Sequence, residues 1–189
     1  MKNLTAFLAV LMLIFVGLAC SSLGDDTEKA NALVDEANKF ITDGNKNMQD
    51  AKTKGDEFDK MVDSAEGTNE EKQKIIDFGN KELIPLYDKL KDNFQKAGEK
   101  FDAASKLKVK DKFKEYLEAK AAEFKKRADY AESLKAIPKT LAASKSKEDY
   151  NESVKKDADN SQKILKEAND LGDKATKIQN DNPTIFKKE

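Results

Sequence analysis

From Ala30 onward, apolar or small residues return at alternating steps of four and three: Ala30, Val34, Ala37, Ile41, Gly44, Met48, Ala51, Gly55, Phe58, Val62 and Ala65. That 3.5-residue spacing keeps a stripe on one side of an α-helix, whereas a strand changes sides at every residue. The pattern predicts one helix of about 40 residues, near 60 Å long at about 1.5 Å per residue. Asp26 or Thr27 is placed to cap its start. A heptad seam needs an apolar neighbour, so the rest of the chain is read for the helices that supply one.

Gly67 fits a helix stop, and Thr68-Asn69-Glu70-Glu71 reads as a capping box, which predicts a tight reversal over 66–69. The second seam runs through Ile76, Leu83, Tyr87, Leu90, Phe94, Ala97, Phe101 and Ala104. Pro85 interrupts it, removing one backbone donor and crowding the carbonyl four residues back, so a kink or break is expected over 80–84 with Gly79 helping. After a patternless stretch over 105–110, Asp111 starts a third helix with Phe113, Leu117, Ala121, Phe124, Ala128, Ala131 and Leu134 on its seam, and Pro138 ends it. A short helical turn over 141–143 is open. Ser146 then caps a fourth helix along Tyr150, Val154, Ala158, Ser161, Leu165, Ala168, Leu171, Ala175 and Ile178, which Asn182-Pro183 terminates.

The expected fold is therefore all-α: an elongated antiparallel bundle of three to four long amphipathic, heptad-patterned helices, at about 27–66, 70–105, 111–136 and 146–181 within a 27–181 domain. A three-helix stack with a broken second helix is the alternative. Charged and hydrophobic residues each make up 38% of the chain, so the core must be thin. Leu33 to Asn38 resembles Ile164 to Asn169, which either records a duplicated hairpin or reflects shared heptad pressure.

The first residues have another logic. Lys2 gives a positive start, Leu4 to Leu18 is an apolar run of about 15, and Gly17-Leu18-Ala19 precedes Cys20. The run is short for a membrane span, and Ser21 to Asp26 follows in place of a basic flank. Leu18-Ala19-Cys20 resembles the lipobox that closes the leader of bacterial lipoproteins. The resemblance covers only the leader; it implies a signal peptide over 1–19, lipidation of Cys20 as the first mature residue, and a tether over 20–26. Gly17 stands where leucine is commonest in that family, so plain cleavage after Ala19 is the alternative. Removing Lys2 with the leader leaves a charge of about −2 on the mature chain. The resemblance further implies an exported protein, lipid-anchored to a bacterial membrane; Ser21 suggests the outer membrane, facing the periplasm or the cell surface, where the host has two.

Chemistry is sparse. The chain has no histidine and a single cysteine, which removes the usual nucleophile–base pairs and zinc sets, so no catalytic residue, cofactor or metal ligand is assigned. Carboxylate pairs such as Glu70-Glu71 and Asp25-Asp26 read as charged helix surface, and Asp157, Asp159 and Asn160 lack the glycine turn and closing glutamate of a calcium loop. Arg127 is the only arginine and no basic stripe is present, which argues against nucleic acid. Tyr87, Tyr116, Tyr130, Tyr150 and the phenylalanines could form an aromatic ligand box, but their place on or beside the seams points to core.

Three readings of function follow. The first is a non-catalytic interaction or scaffold module, held to a membrane by its N-terminal lipid and meeting another envelope protein. The second is a carrier or sensor of an apolar molecule, with Gly44, Ala51 and Gly55 leaving room between helices. The third, an enzyme working through carboxylates or lysines alone, would need a concave site with shifted titration.

Overall fold

The computed structural model describes residues 25–186. Cys20 and the leader lie outside them, as does the last part of the tail. The elements are α1 (Thr27–Ser64), α2 (Asn69–Phe78), a π-helical turn (Gly79–Leu83), α3 (Ile84–Ser105), α4 (Asp111–Leu134), α5 (Ala136–Ala143), α6 (Lys147–Asp181) and a 3₁₀ turn (Pro183–Ile185). The architecture is the expected all-α bundle. No helix of the described residues is long and apolar enough to cross a membrane.

The start of α1 is fixed from a distance. Asp26 occupies the N-cap position, yet its side chain caps nothing. Its backbone N–H donates to the Lys108 carbonyl at 2.7 Å, and its carboxylate accepts from the Lys108 N–H at 3.3 Å, tying the entry of the chain to the α3–α4 loop. At its other end α1 stops at Ser64, two residues sooner than its pattern suggested. Gly67 makes the reversal with φ +93°, a left-handed conformation that a side chain disfavours. The capping box forms as read: Thr68 Oγ1 accepts from the Glu71 N–H at 3.2 Å, and Glu71 Oε2 accepts from the Thr68 N–H at 3.1 Å.

Pro85 does not break the second rod. The helix instead widens into the π turn, in which the Ile84 N–H reaches back to the Gly79 carbonyl, and continues to Ser105. The extra residue changes the phase of the seam, so that the residues buried along it are Ile75, Gly79, Leu83 and Tyr87, at steps of four; Ile76, expected on the seam, is only half-buried. Gly79 is required here for space, since a Cβ would lie 2.8 Å from Pro138 Cβ. Pro138 itself does not terminate the third helix. α4 already ends at Leu134, and Pro138 sits in the first turn of α5, where its missing N–H would have had no intrahelical partner. Ser146 caps α6 as expected, accepting from the Asp149 N–H at 3.1 Å.

α4 is central and buries two sides. Phe113, Leu117, Phe124, Ala128 and Ala131 hold the predicted seam, while Tyr116, Ala119 and Glu123 are also buried. The tail is docked as far as it is described: Phe186 folds back with its ring 5.0 Å from Tyr116 and 5.8 Å from Phe113. The core divides into two clusters. One, at the entry end, holds Val34, Phe94, Phe101, Phe124 and Phe186. The other, at the far end, holds Phe58, Val62, Leu83, Tyr87, Leu141 and Tyr150.

Candidate functional site

The rods stand in chain order, α1 on α3, α3 on α4 and α4 on α6, while α1 and α6 form no continuous seam with each other. They meet at the far end, where Lys147 Nζ donates to the Asp63 carbonyl at 3.3 Å. Residues that a closed bundle would bury along this edge stay half-buried: Asn45, Lys52 and Asp59 on α1, and Val154, Ala158 and Leu165 on α6. Asn31, Asn38, Asn45, Lys52 and Asp59 recur at seven-residue intervals, so α1 carries a polar stripe beside its apolar one. Two of these side chains hold fully enclosed atoms without a hydrogen-bond partner, Asn31 Nδ2 and Asn45 Oδ1.

Toward the far end, Tyr87 on α3 and Tyr150 on α6 are buried in one core cluster. The phenol of Tyr87 on α3 lies within electrostatic reach of Tyr130 on α4, Asp59 on α1 and Tyr150 on α6. Burial, and then these neighbours, pushes the Tyr87 phenol well above its ordinary range. Tyr150 is pushed up likewise, by burial and then by Asp59, Asp63 and Asp157. Burial also raises Tyr130, so all three phenols stay protonated. Burial, followed by the Asp63 and Asp56 carboxylates, raises the Asp59 carboxyl. Among the described residues no hydrogen bond or ion pair engages Asp59, and the three hydroxyls make none. None of the three hydroxyls is sealed in protein either, since the two asparagine atoms alone are enclosed and without a partner.

Nearer the middle, Glu123 takes Lys120 Nζ at 2.6 Å and Arg127 Nε at 2.8 Å. Arg127 also reaches Asn169 on α6 at 3.3 Å, and Lys120 Nζ lies 4.7 Å from the centre of the Phe124 ring. Gly172 makes room for this group, because a Cβ there would come within 3.1 Å of the Glu123 carboxylate. The two cations share one carboxylate, and Arg127 joins α4 to α6.

Other residues singled out in the sequence are engaged in structure. Glu71 closes the capping box, Glu70 pairs with Lys74 and Asp26 with Lys29. Asp157 accepts from Thr140 Oγ1 at 2.6 Å, while Asp159 and Asn160 face solvent. Among the described residues no three His, Cys, Asp or Glu side chains are grouped to hold a metal ion. The room expected at Gly44 is filled by Phe94, and Ala51 is buried in the far cluster; Gly55 alone opens on free space. Tyr116, Tyr87 and Tyr150 are core, and Tyr130 is half-buried. Asp59 carries no motif, though it continues the seven-residue polar stripe of α1. Comparison with protein-family models, curated proteins and solved structures finds no match to this chain.

Proposed function

We propose that this chain is a lipid-anchored, non-catalytic binding module of a bacterial cell envelope, with the open α1–α6 edge as its recognition element. The observation that carries the reading is the edge itself: Asn45, Lys52 and Asp59 on α1 and Val154, Ala158 and Leu165 on α6 are left half-buried, and Asn45 Oδ1 is enclosed without a hydrogen-bond partner. Leaving a polar atom without a partner in a protein interior costs stability, and a ligand that rearranged the edge would recover that cost. Such an edge suits binding better than catalysis, because it offers hydrogen bonds, charge and apolar area without a histidine or a thiol to act as base or nucleophile.

The leader supports the address. From Cys20 to Asp25 the chain reaches no more than about 18 Å fully extended. Asp26 is tied to the α3–α4 loop, so lipid on Cys20 would hold that end of the bundle close to a bilayer. The rod then stands away from the membrane, with Asp59 about 50 Å along α1 from the tethered end.

The test is the intact mass of the N-terminal peptide from protein isolated from its own membranes, with Cys20→Ala in parallel. The expected result is a peptide that begins at Cys20 with added acyl mass, and a Cys20→Ala protein lost from the membrane fraction. A free N-terminus at or beyond Cys20 in a soluble fraction would overturn the anchor, and a retained Met1 would replace it with an uncleaved signal anchor.

A further inference from the structure

We infer that the α3–α4 loop, with the lysines from Lys106 to Lys114, is a docking tip for the anionic head groups of the membrane to which the chain is anchored. The inference goes beyond the α1–α6 edge and rests on the anchor in the reading above, since lipid on Cys20 is what would bring this end to a bilayer.

The chain as a whole is balanced, with 35 basic and 36 acidic residues, but the stretch from Lys106 to Lys114 holds five lysines against one aspartate. Its sequence alternates, and the alternation sorts the side chains by direction. Leu107 and Val109 pack against the entry-end core and Phe113 is buried, whereas Lys106, Lys108, Lys110, Lys112 and Lys114 are exposed. The apolar residues hold the loop down while the ammonium groups stay in water.

Stability of the fold does not account for this arrangement. Elsewhere lysines sit one turn from a carboxylate and pair with it, as Lys74 does with Glu70, Lys96 with Asp92 and Lys166 with Asp170. In the loop, Lys106 pairs with Asp102 and Lys112 with Glu115, but the side chains of Lys108, Lys110 and Lys114 make no ion pair or hydrogen bond among the described residues. Lys112 and Lys114 also lie in the first turn of α4, where the helix dipole favours anions over cations. Repulsion among neighbouring ammonium groups adds to that penalty, and an anionic surface removes both.

The position of the loop decides the partner. The Asp26 N–H donates to the Lys108 carbonyl at 2.7 Å and the Asp26 carboxylate accepts from the Lys108 N–H at 3.3 Å, so the tether leaves the domain beside these lysines. Lipid on Cys20 would leave a tether of at most about 18 Å, on the order of two screening lengths at physiological salt. An anionic bilayer presents single negative charges across a plane, which compact ammonium groups match without the bidentate geometry that suits arginine. A soluble polyanion would meet the same charges but gain nothing from the tether.

The experiment uses the full-length protein, isolated from its membranes and reconstituted into vesicles of phosphatidylcholine, alone or with about a quarter phosphatidylglycerol, each with a trace of lipid carrying a dansyl head group. The chain has no tryptophan, so Ala103→Trp, at an exposed position in the last turn of α3, supplies the only indole. Energy transfer to dansyl should be at least about twofold greater on the anionic vesicles, and about 1 M sodium chloride should abolish the difference. Lys108→Gln, Lys110→Gln and Lys114→Gln together should abolish it too, with helical circular dichroism unchanged. Lys39→Gln, Lys46→Gln and Lys60→Gln, an equal change of charge at exposed positions of α1, should leave it intact. Equal transfer on the two vesicles, or equal loss in the two triple variants, overturns the docking tip; a change of indole emission with soluble heparin under the first outcome assigns the lysines to a soluble polyanion instead. The mass of the N-terminal peptide separates this result from the anchor. An unlipidated chain that floats with the anionic vesicles and not with the neutral ones removes the anchor and leaves the tip standing. A lipidated chain indifferent to vesicle charge does the reverse, and an unlipidated chain that floats with neither overturns both.

Discussion

Arg127 donates from Nε to Glu123 Oε1 at 2.8 Å across one turn of α4, with the Glu123 side chain only 4% exposed. Lys120 bonds the other carboxylate oxygen, so a single anion is shared by two cations in the bundle interior. Glu123→Gln keeps the shape and removes the charge, leaving both cations without a counterion. A loss of about 3 kcal/mol is expected, read as a lower urea midpoint at unchanged slope. A variant as stable as the parent would show that solvent reaches the trio freely.

Two glycines of α1, Gly44 and Gly55, predict opposite outcomes for the same substitution. At Gly44 a Cβ would lie 2.7 Å from Phe94 Cε1, and Phe94 is fully buried between rods, so Gly44→Ala should destabilise by about 1–3 kcal/mol despite the helical preference of alanine. At Gly55 nothing lies within 4 Å, and Gly55→Ala should stabilise by about 0.5–1 kcal/mol. Thermal unfolding of the two variants side by side checks the contrast, and a shift of the same sign in both would contradict it.

Asp59 should act against stability. Its folded carboxyl is raised above the ordinary value, chiefly by burial, so the folded state binds the proton more tightly than the unfolded chain does. The penalty is fully present above the raised value and disappears as pH falls below the ordinary value of 3.8. Asp59→Asn is expected to stabilise at pH 7 by no more than about 1 kcal/mol, since solvent screens part of the effect. At pH 3 the two proteins should unfold together.

Phe186 closes the entry end against Phe113 and Tyr116. Phe186→Ala should cost about 2 kcal/mol, below the usual loss for a central phenylalanine because only a short 3₁₀ turn precedes it and the segment can relax. Faster amide exchange at the start of α4, with little change around Tyr87, would locate the loss; uniform exchange would place the effect elsewhere.

The helices were legible because heptads, caps and glycine stops are local. Thr68 with Glu71, Ser146 and Gly67 each act within a few residues of themselves, and each does what its neighbours imply. Pro85 was read correctly as a disturbance, and it takes the form of a widened turn rather than a break. No residue type in the sequence marks a widened turn apart from a kink, because both answer the same missing donor. The second buried side of α4 was hidden, because Tyr116 and Glu123 look like surface until α6 is known to lie against them. The open α1–α6 edge was illegible for the same reason, because a stripe within one helix does not report which other helix lies beside it.

The order of the rods also sets how the chain assembles. Each extended seam joins neighbours in the sequence, α1 to α3, α3 to α4 and α4 to α6. Such a topology has low contact order, so loop closure is cheap at every step and folding should be fast, in the range of other helical bundles. A chain released from its N-terminus can add one rod at a time to a surface already formed. The most distant partners, α1 and α6, meet only at the end, and the edge that shuts last is the one that holds Asp59 and Tyr150.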